Sequence, residues 1–214
     1  MRILDLFAGT KSISRSLEGL NHEIVTLDMD ASTNPDICSD ILSWDYKTFK
    51  PHYFDLIWAS CPCTEYSSCK GGRPRNLTLA DSIVQKTIEI IDYLKPAYWV
   101  IENPFTGLLK SRPFMNGRPY KVVDYCRYNF PYRKRTGLWT NIEFTPKLCD
   151  GACGSMVMGS YGRRRHLGTF GSTKMNTAYG LGVLTPEVTH QVPIGLILDV
   201  LAATRARLAS LQRE

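Results

Sequence analysis

The sequence has no long hydrophobic run and no regular set of cysteines. No stretch approaches the roughly 20 apolar residues of a membrane span, so we expect no membrane partner. The seven cysteines are odd in number and irregular in spacing, and the start, Met1 to Asp5, lacks the layout of a secretory signal. These absences favour a reduced, intracellular protein, either cytoplasmic or nucleoid-associated. Internal repeats and low-complexity tracts are also missing.

Positive charge is scarce at the start of the chain and frequent later. The net charge is +6 and the isoelectric point is near 8.9. The first sixty residues are not basic, whereas Arg133-Lys134-Arg135 and Arg163-Arg164-Arg165 are basic runs. This distribution predicts one positive surface, which is typical of proteins that bind polyanions.

Apolar runs alternate with helical patterns along the 214 residues. Buried strands are predicted at 2–7, 22–27, 36–42, 53–59 and 98–102, with a helix that starts at a Thr78 cap and stops at Lys95-Pro96. Residues 121–125 and 136–140 are predicted to form an antiparallel pair. The pattern indicates the α/β class: a Rossmann-like, mostly parallel twisted sheet with helices on both faces. We divide the chain into a main domain at 1–147, a small irregular insertion at 148–180 and a C-terminal helical segment at 181–214 that packs back.

The first strand ends in a turn that suits a nucleoside cofactor. Asp5-Leu6-Phe7-Ala8-Gly9 leads into a helix, and Asp28 closes the second strand about 20 residues later. The phosphate-binding pattern G-x-G-x-x-G is absent, which favours a cofactor without phosphate, such as S-adenosylmethionine. Asp40-Ile41 could reach an adenine ring. The alternatives are a plain turn with a solvated acid, and a helix-capping acid at Asp40.

Two reactive groups end adjacent strands. Cys63 follows the fourth strand and Pro62, and Glu102 ends the fifth, so both can converge on one base. A thiolate can add to a ring carbon if an acid makes the ring electron-poor at the same time. Cys61 and Cys69 are assigned no chemistry. The alternatives are a buried small hydrophobe at Cys63 and a strand-ending turn at Glu102-Asn103.

Four ordered motifs carry a resemblance to a known family. Asp5-Leu6-Phe7-Ala8-Gly9, Pro62-Cys63, Glu102-Asn103 and Arg133-x-Arg135 resemble the signature of the C5-cytosine methyltransferases, over roughly residues 1 to 140. The resemblance implies a compact DNA (cytosine-5)-methyltransferase that uses S-adenosylmethionine, is a monomer and acts on duplex DNA with a flipped-out cytosine. The alternatives are an RNA (tRNA) cytosine-5 methyltransferase and a catalytically silent nucleic-acid-binding homologue.

The resemblance also implies roles for individual residues. Cys63 attacks ring C6, Glu102 binds and protonates N3, and Asn103 fixes the loop. Arg133 or Arg135 holds the base O2 or the Cys63 loop, with Arg133 placed at the base. The implied cofactor-binding residues are Asp5, Phe7, Ala8, Gly9, Thr10, Asp28, Met29, Asp40, Ile41 and Pro62.

The chain departs from the family pattern at several points. Lys11 replaces the second glycine of the first turn. This suggests the hypothesis that a cation near the cofactor's sulfonium favours an analogue with an extra carboxylate, so that the transferred group is not plain methyl; the alternative is a lysine that points to solvent. The late Asn-Ser-Val motif has no clear counterpart near 182–186. The recognition region is very small, so Arg163, Arg164 and Arg165 are predicted to clamp DNA phosphates. Such a minimal enzyme suits a phage, a virus or a mobile element.

The later cysteines pose a separate question. Cys149-x3-Cys153 with His166 has the composition of a zinc site. The spacing is loose and no fourth ligand is evident, so the sequence predicts no metal.

Overall fold

A computed structural model describes residues 1–70, 72–158, 162–167 and 186–211 of the chain. Seven strands form one sheet with the order β3-β2-β1-β4-β5-β7-β6. Strands β1 to β5 are mutually parallel, and β7 runs antiparallel between β5 and β6. Their bounds are β1 Arg2–Leu6, β2 Glu23–Asp28, β3 Ile37–Cys38, β4 Leu56–Ser60, β5 Tyr98–Pro104, β6 Tyr120–Asp124 and β7 Arg135–Thr140. The Rossmann-like fold and the antiparallel pair are confirmed.

Helices cover both faces of the sheet, as predicted. The described α-helices are α1 Ser12–Ser16, α2 Leu77–Leu94, α3 Pro186–Thr189 and α4 Ile194–Leu211. On one face, Val84, Ile91 and Leu94 of α2 share a core with Leu4 and Leu6 of β1. On the other, Ile13 of α1 and Leu196 of α4 pack with Ile3. Alternate residues of β1 thus enter opposite cores, so Ile3 on one face and Leu4 and Leu6 on the other are all apolar.

Several predicted element boundaries are wrong. The fourth strand begins at Leu56 and not at residue 53. Helix α2 begins one residue after Asn76, whose side chain accepts a 3.1 Å hydrogen bond from Leu79 N, so Thr78 lies inside the helix and is not its cap. The third strand is two residues long rather than seven, because Asp40 caps a turn by accepting from Leu42 N at 2.9 Å. The fifth strand continues past Glu102 to Pro104, paired with β7.

The segment predicted as an irregular insertion contains a small antiparallel hairpin. Its strands are β8 Met156–Met158 and β9 Arg164–His166. Positions 168–180 of that segment, and 182–185 of the expected late motif, lie outside the described residues. Helix α4 packs against α1 and against the short 3-10 helix Tyr125–Tyr128. Within the described ranges, no helix combines the length and apolar character needed to cross a membrane.

Candidate active site

A cavity of about 560 Å³ opens at the carboxyl ends of β1, β2, β4 and β5. The topology explains its position, because the strand order reverses between β1 and β4, and ligands of open parallel sheets bind at such a point. Predicted residues from distant parts of the chain meet in this cavity. They are Asp5, Phe7, Ala8, Gly9, Thr10, Asp28, Pro62, Cys63 and Glu102.

The turn after β1 wraps around the end of β2. Gly9 N donates a 2.8 Å hydrogen bond to Asp28 Oδ2. Both Gly9 (φ 40°) and Phe7 (φ 62°) adopt left-handed backbone conformations, which glycine reaches without steric cost. The turn thereby presents backbone and the Asp28 carboxylate to the cavity together.

Asp5 is a buried acid at the floor of this turn. Its carboxyl oxygen Oδ2 has no hydrogen-bond partner among the residues that the structure describes. Burial, and then the nearby Asp28 carboxylate, raise the pKa of Asp5 to about 8. The cavity therefore contains a carboxyl group that is available to a ligand and can be neutral at neutral pH.

The loop after β4 separates two thiols. Cys61 is 3% exposed and lies beside Thr87, and burial raises the pKa of its thiol to about 12. Cys63 is half-buried and lines the cavity. Asn103 fixes the loop, because its Nδ2 donates a 2.9 Å hydrogen bond to the Cys61 carbonyl. The loop thus buries the first thiol and exposes the second to the site.

Glu102 is held from two sides. Tyr125, at the start of the 3-10 helix Tyr125–Tyr128, donates a 2.9 Å hydrogen bond from its hydroxyl to Glu102 Oε1. Burial and the neighbouring Glu102 raise the pKa of Tyr125, so the phenol keeps its proton and remains a donor. Lys134 Nζ lies 3.4 Å from the same oxygen. The Glu102 carboxyl group is therefore oriented through Oε1 by one neutral donor and one cation.

Arg133 and Arg135 point to a different carboxylate. Arg135 binds Asp124 at 2.8 Å and Arg133 binds it at 3.2 Å. Burial alone would raise the pKa of Asp124, but hydrogen bonds from Arg135, Cys149 N and Arg133 outweigh burial and lower it. Since side chains alternate along an extended chain, the intervening Lys134 is the residue that faces the cavity. The roles at the base assigned to the two arginines stay predictions.

Sequence reasoning missed several residues of the site, among them Tyr125, which binds Glu102. The sequence shows Lys134 only as part of a basic run and gives Tyr132 no role. Tyr132 is buried and donates a 3.1 Å hydrogen bond to the Thr189 carbonyl. His190 and Val192 line the cavity, and Val192 N donates to Ser12 Oγ at 3.2 Å. For His190 and Val192, the sequence signal was one polar and one apolar residue just before the C-terminal helix.

Other predicted site residues lie away from the cavity. Met29 is 72% exposed, Ile41 is buried in the core, and Asp40 is exposed. Arg163 and Arg164 are exposed and Arg165 is half-buried. Their contacts with DNA phosphates stay predictions. Lys11 Nζ donates to the Asn34 carbonyl outside the cavity, which does not support the hypothesis of a cation near the transferred group.

Comparison with known proteins identifies relatives by sequence and by fold. A family model described as C-5 cytosine-specific DNA methylase matches residues 1–113. A protein of Frog virus 3 (isolate Goorha), named a probable DNA (cytosine-5)-methyltransferase, is 38% identical over 224 residues, which cover 94% of this chain and 99% of that protein. The solved structure of the Entamoeba histolytica methyltransferase EhMeth superposes with a TM-score of 0.54 at 15% identity, covering 73% of this chain. This chain spans 58% of the length of that structure, a likeness of fold alone.

Proposed function

Because this chain belongs to the C-5 cytosine-specific DNA methylases, a family of S-adenosylmethionine-dependent enzymes, we propose that it methylates C5 of cytosine in DNA. One observation carries the proposal. Cys63 and Glu102, from the ends of two neighbouring strands, line the same cavity as the Gly9 turn and Asp28. A nucleophile, an acid and a nucleoside-binding turn therefore share one enclosed space.

The cavity residues fit S-adenosylmethionine. The ligand has a ribose, an amino group and no phosphate, and the turn around Gly9 provides carboxylates rather than a phosphate cradle. Asp28 would hold the ribose hydroxyls. The buried Asp5 oxygen, which has no partner in the described part of the chain, would accept from a ligand donor. When bound, the cofactor supplies an electrophilic methyl group.

The chain's own residues account for activation of the base. Cys63 Sγ bonds to C6 of the flipped cytosine, and the electron pair of the C5–C6 double bond shifts towards C4 and N3. Glu102 places its proton on N3 and so stabilises the negative charge that would develop there. C5 then carries the nucleophilic electron pair that accepts the methyl group. Loss of the C5 proton to solvent water re-forms the double bond and expels Cys63 as thiolate, and N3 returns its proton to Glu102.

Neighbouring residues would keep these two groups in position. Asn103 ties the Cys63 loop to β5 through the Cys61 carbonyl. Tyr125 and Lys134 bind Glu102 and would favour the carboxylate orientation that meets N3. Arg163, Arg164 and Arg165, on and beside the β8–β9 hairpin, would neutralise DNA phosphates without reading sequence.

The test is transfer of a labelled methyl group from S-adenosylmethionine to duplex DNA. We expect 5-methylcytosine in the product, and a covalent complex with DNA that contains 5-fluorocytosine, because fluorine cannot leave C5 as a proton does. Cys63→Ala should abolish both signals, and Cys38→Ala, which changes an exposed thiol outside the cavity, should abolish neither. Equal signals from the parent and Cys63→Ala would refute the proposal. Labelling of tRNA but not DNA would redirect it to the RNA alternative.

A further inference from the structure

We propose that the chain carries a structural zinc site formed by Cys126, Cys149, Cys153 and His166. The four ligand atoms, three Sγ and one imidazole nitrogen, all lie within 4.8 Å of one another. The sequence offered only three of these residues and so predicted no metal. The fold supplies the fourth, because Cys126 comes from the 3-10 helix after β6, more than twenty residues earlier in the chain.

The distances match a tetrahedral site. Zn–S bonds of about 2.3 Å and Zn–N bonds of about 2.0 Å place neighbouring ligand atoms roughly 3.5–3.8 Å apart. Cys149 Sγ and His166 Nε2 are 3.3 Å apart, and the remaining pairs fall within the 4.8 Å limit. Changes of up to about 1 Å in the separations between ligand atoms would close the site around an ion.

The surroundings also suit metal-bound thiolates. Gly151 N donates to Cys149 Sγ at 3.4 Å, and Cys149 N donates to Asp124 Oδ2 at 2.9 Å. Three thiolates and one neutral imidazole around Zn²⁺ carry a net charge of −1. Arg133 and Arg135, paired with the same Asp124, are positive neighbours for that charge. Second-shell contacts of this kind orient the ligands of zinc sites.

The donor set selects the metal and the type of site. Three sulfurs and one nitrogen favour zinc over magnesium or calcium, which prefer oxygen. Four protein ligands leave no open position, so the site is structural rather than catalytic. Two of the ligands, Cys126 and Cys153, are buried. A single disulfide would use only two of the three thiols and would leave the imidazole without a function.

Zinc at this position would join three separate parts of the chain. Cys126 directly follows Tyr125, the hydrogen-bond donor to Glu102. His166 directly follows Arg164 and Arg165 on β9. Another contact at the hairpin is made by Ser155 Oγ, which donates to the Phe130 carbonyl at 2.7 Å. The metal would thus fix the basic hairpin relative to the acid of the proposed active site.

The test is the metal content of the full-length protein, purified without chelator or metal-affinity resin. We expect about one zinc per chain by mass spectrometry, and thiolate-to-metal charge-transfer bands after cobalt(II) replaces zinc. Cys149→Ser and His166→Ala should lose the metal. Cys38→Ser, which changes an exposed cysteine outside the cluster, should retain it.

A ligand-preserving variant separates loss of metal from loss of folding. His166→Cys keeps four donors and should still bind about one zinc, with cobalt bands shifted towards those of a four-thiolate site. The proposal is overturned if the parent protein contains no zinc and takes up none when refolded with it. It is equally overturned if Cys149→Ser and His166→Ala keep the metal of the parent, or if two of the three cysteines are isolated as a disulfide.

Discussion

The two cysteine groups of this chain differ in what surrounds each sulfur. At the end of β4, Cys63 lines a cavity shared with a carboxylate, and its neighbour Cys61 is buried against Thr87. In the second group, the three sulfurs of Cys126, Cys149 and Cys153 lie within 4.8 Å of one another and of a nitrogen of His166. The first arrangement places a thiol on the wall of a cavity, and the second brings three thiols together with an imidazole. The presence of a cysteine alone does not indicate which of the two arrangements it belongs to.

Two buried acids show the same contrast. Asp124 receives two guanidinium groups and a backbone amide, and its pKa is lowered. Asp5 lies in an equally buried position with another acid nearby, and its pKa is raised to about 8. One acid is a fixed anion that organises protein groups, and the other can hold a proton for a ligand.

The largest expected effect is a double dissociation between the two thiol groups. Cys63→Ala should lower methyl transfer by more than about 10³-fold, because no other group replaces the nucleophile, and should leave zinc content unchanged. Cys149→Ala should lose zinc and still form the covalent complex with 5-fluorocytosine DNA. Filter binding and metal analysis of the same preparations measure both. Zinc loss in Cys63→Ala would show that the two groups are not independent.

The two acids should respond to pH in opposite ways. Asp124→Asn should lower the free energy of unfolding by about 1–3 kcal/mol at neutral pH. This range is below that for breaking a fully buried ion pair, because both arginines are partly exposed. The contribution of Asp124 is present above its ordinary pKa and is lost as pH falls through the lowered folded value. Denaturant unfolding across acidic pH measures it, and equal stability of parent and variant at neutral pH would contradict it.

Asp5→Asn should instead stabilise the free protein. Folded Asp5 keeps its proton up to about pH 8, whereas the unfolded chain releases it near its ordinary pKa. The parent therefore loses stability as pH rises between these values, by up to a few kcal/mol, and the variant should not. The stability difference should grow from about pH 5 to about pH 8 in denaturant unfolding. A constant difference would show that Asp5 is ionised in the folded state.

Tyr125→Phe tests the residue that lies between the two groups. Loss of one hydrogen bond to Glu102 should lower kcat about tenfold, which corresponds to roughly 1.4 kcal/mol. Zinc content should remain that of the parent, although Tyr125 precedes a proposed ligand. A parallel loss of zinc would mean that the helix Tyr125–Tyr128, and not the hydroxyl, had been disturbed.

The smallest effect is expected at the edge of the cavity. Ser12→Ala removes the acceptor for Val192 N, which holds the segment before α4 against the first turn. We expect about a two- to threefold rise in KM for S-adenosylmethionine with kcat unchanged. An unchanged KM would show that other contacts suffice to position Val192.

The parts that could be predicted from sequence are those that local patterns determine. Apolar runs placed the strands, and strand ends placed Asp5, Asp28, Cys63 and Glu102 at one edge. Lys134 was missed because two arginines that match a motif flank it, and only the pairing of Asp124 with both shows which residue turns inward. Cys126 was missed as a ligand because no spacing rule links it to Cys149. Contacts between distant segments carry that information, and a single sequence does not display them.

The first turn shows why a family glycine can be absent. Lys11 adopts φ 56°, a left-handed conformation that costs a non-glycine residue roughly 1 kcal/mol, and its side chain anchors outward on the Asn34 carbonyl. In this chain the position thus keeps the left-handed backbone of the turn and directs its side chain away from the cavity. A lysine that is anchored away from the cavity can therefore replace that glycine at a modest cost in stability, and the cavity is retained. A motif search that insists on the glycine would pass over chains of this kind.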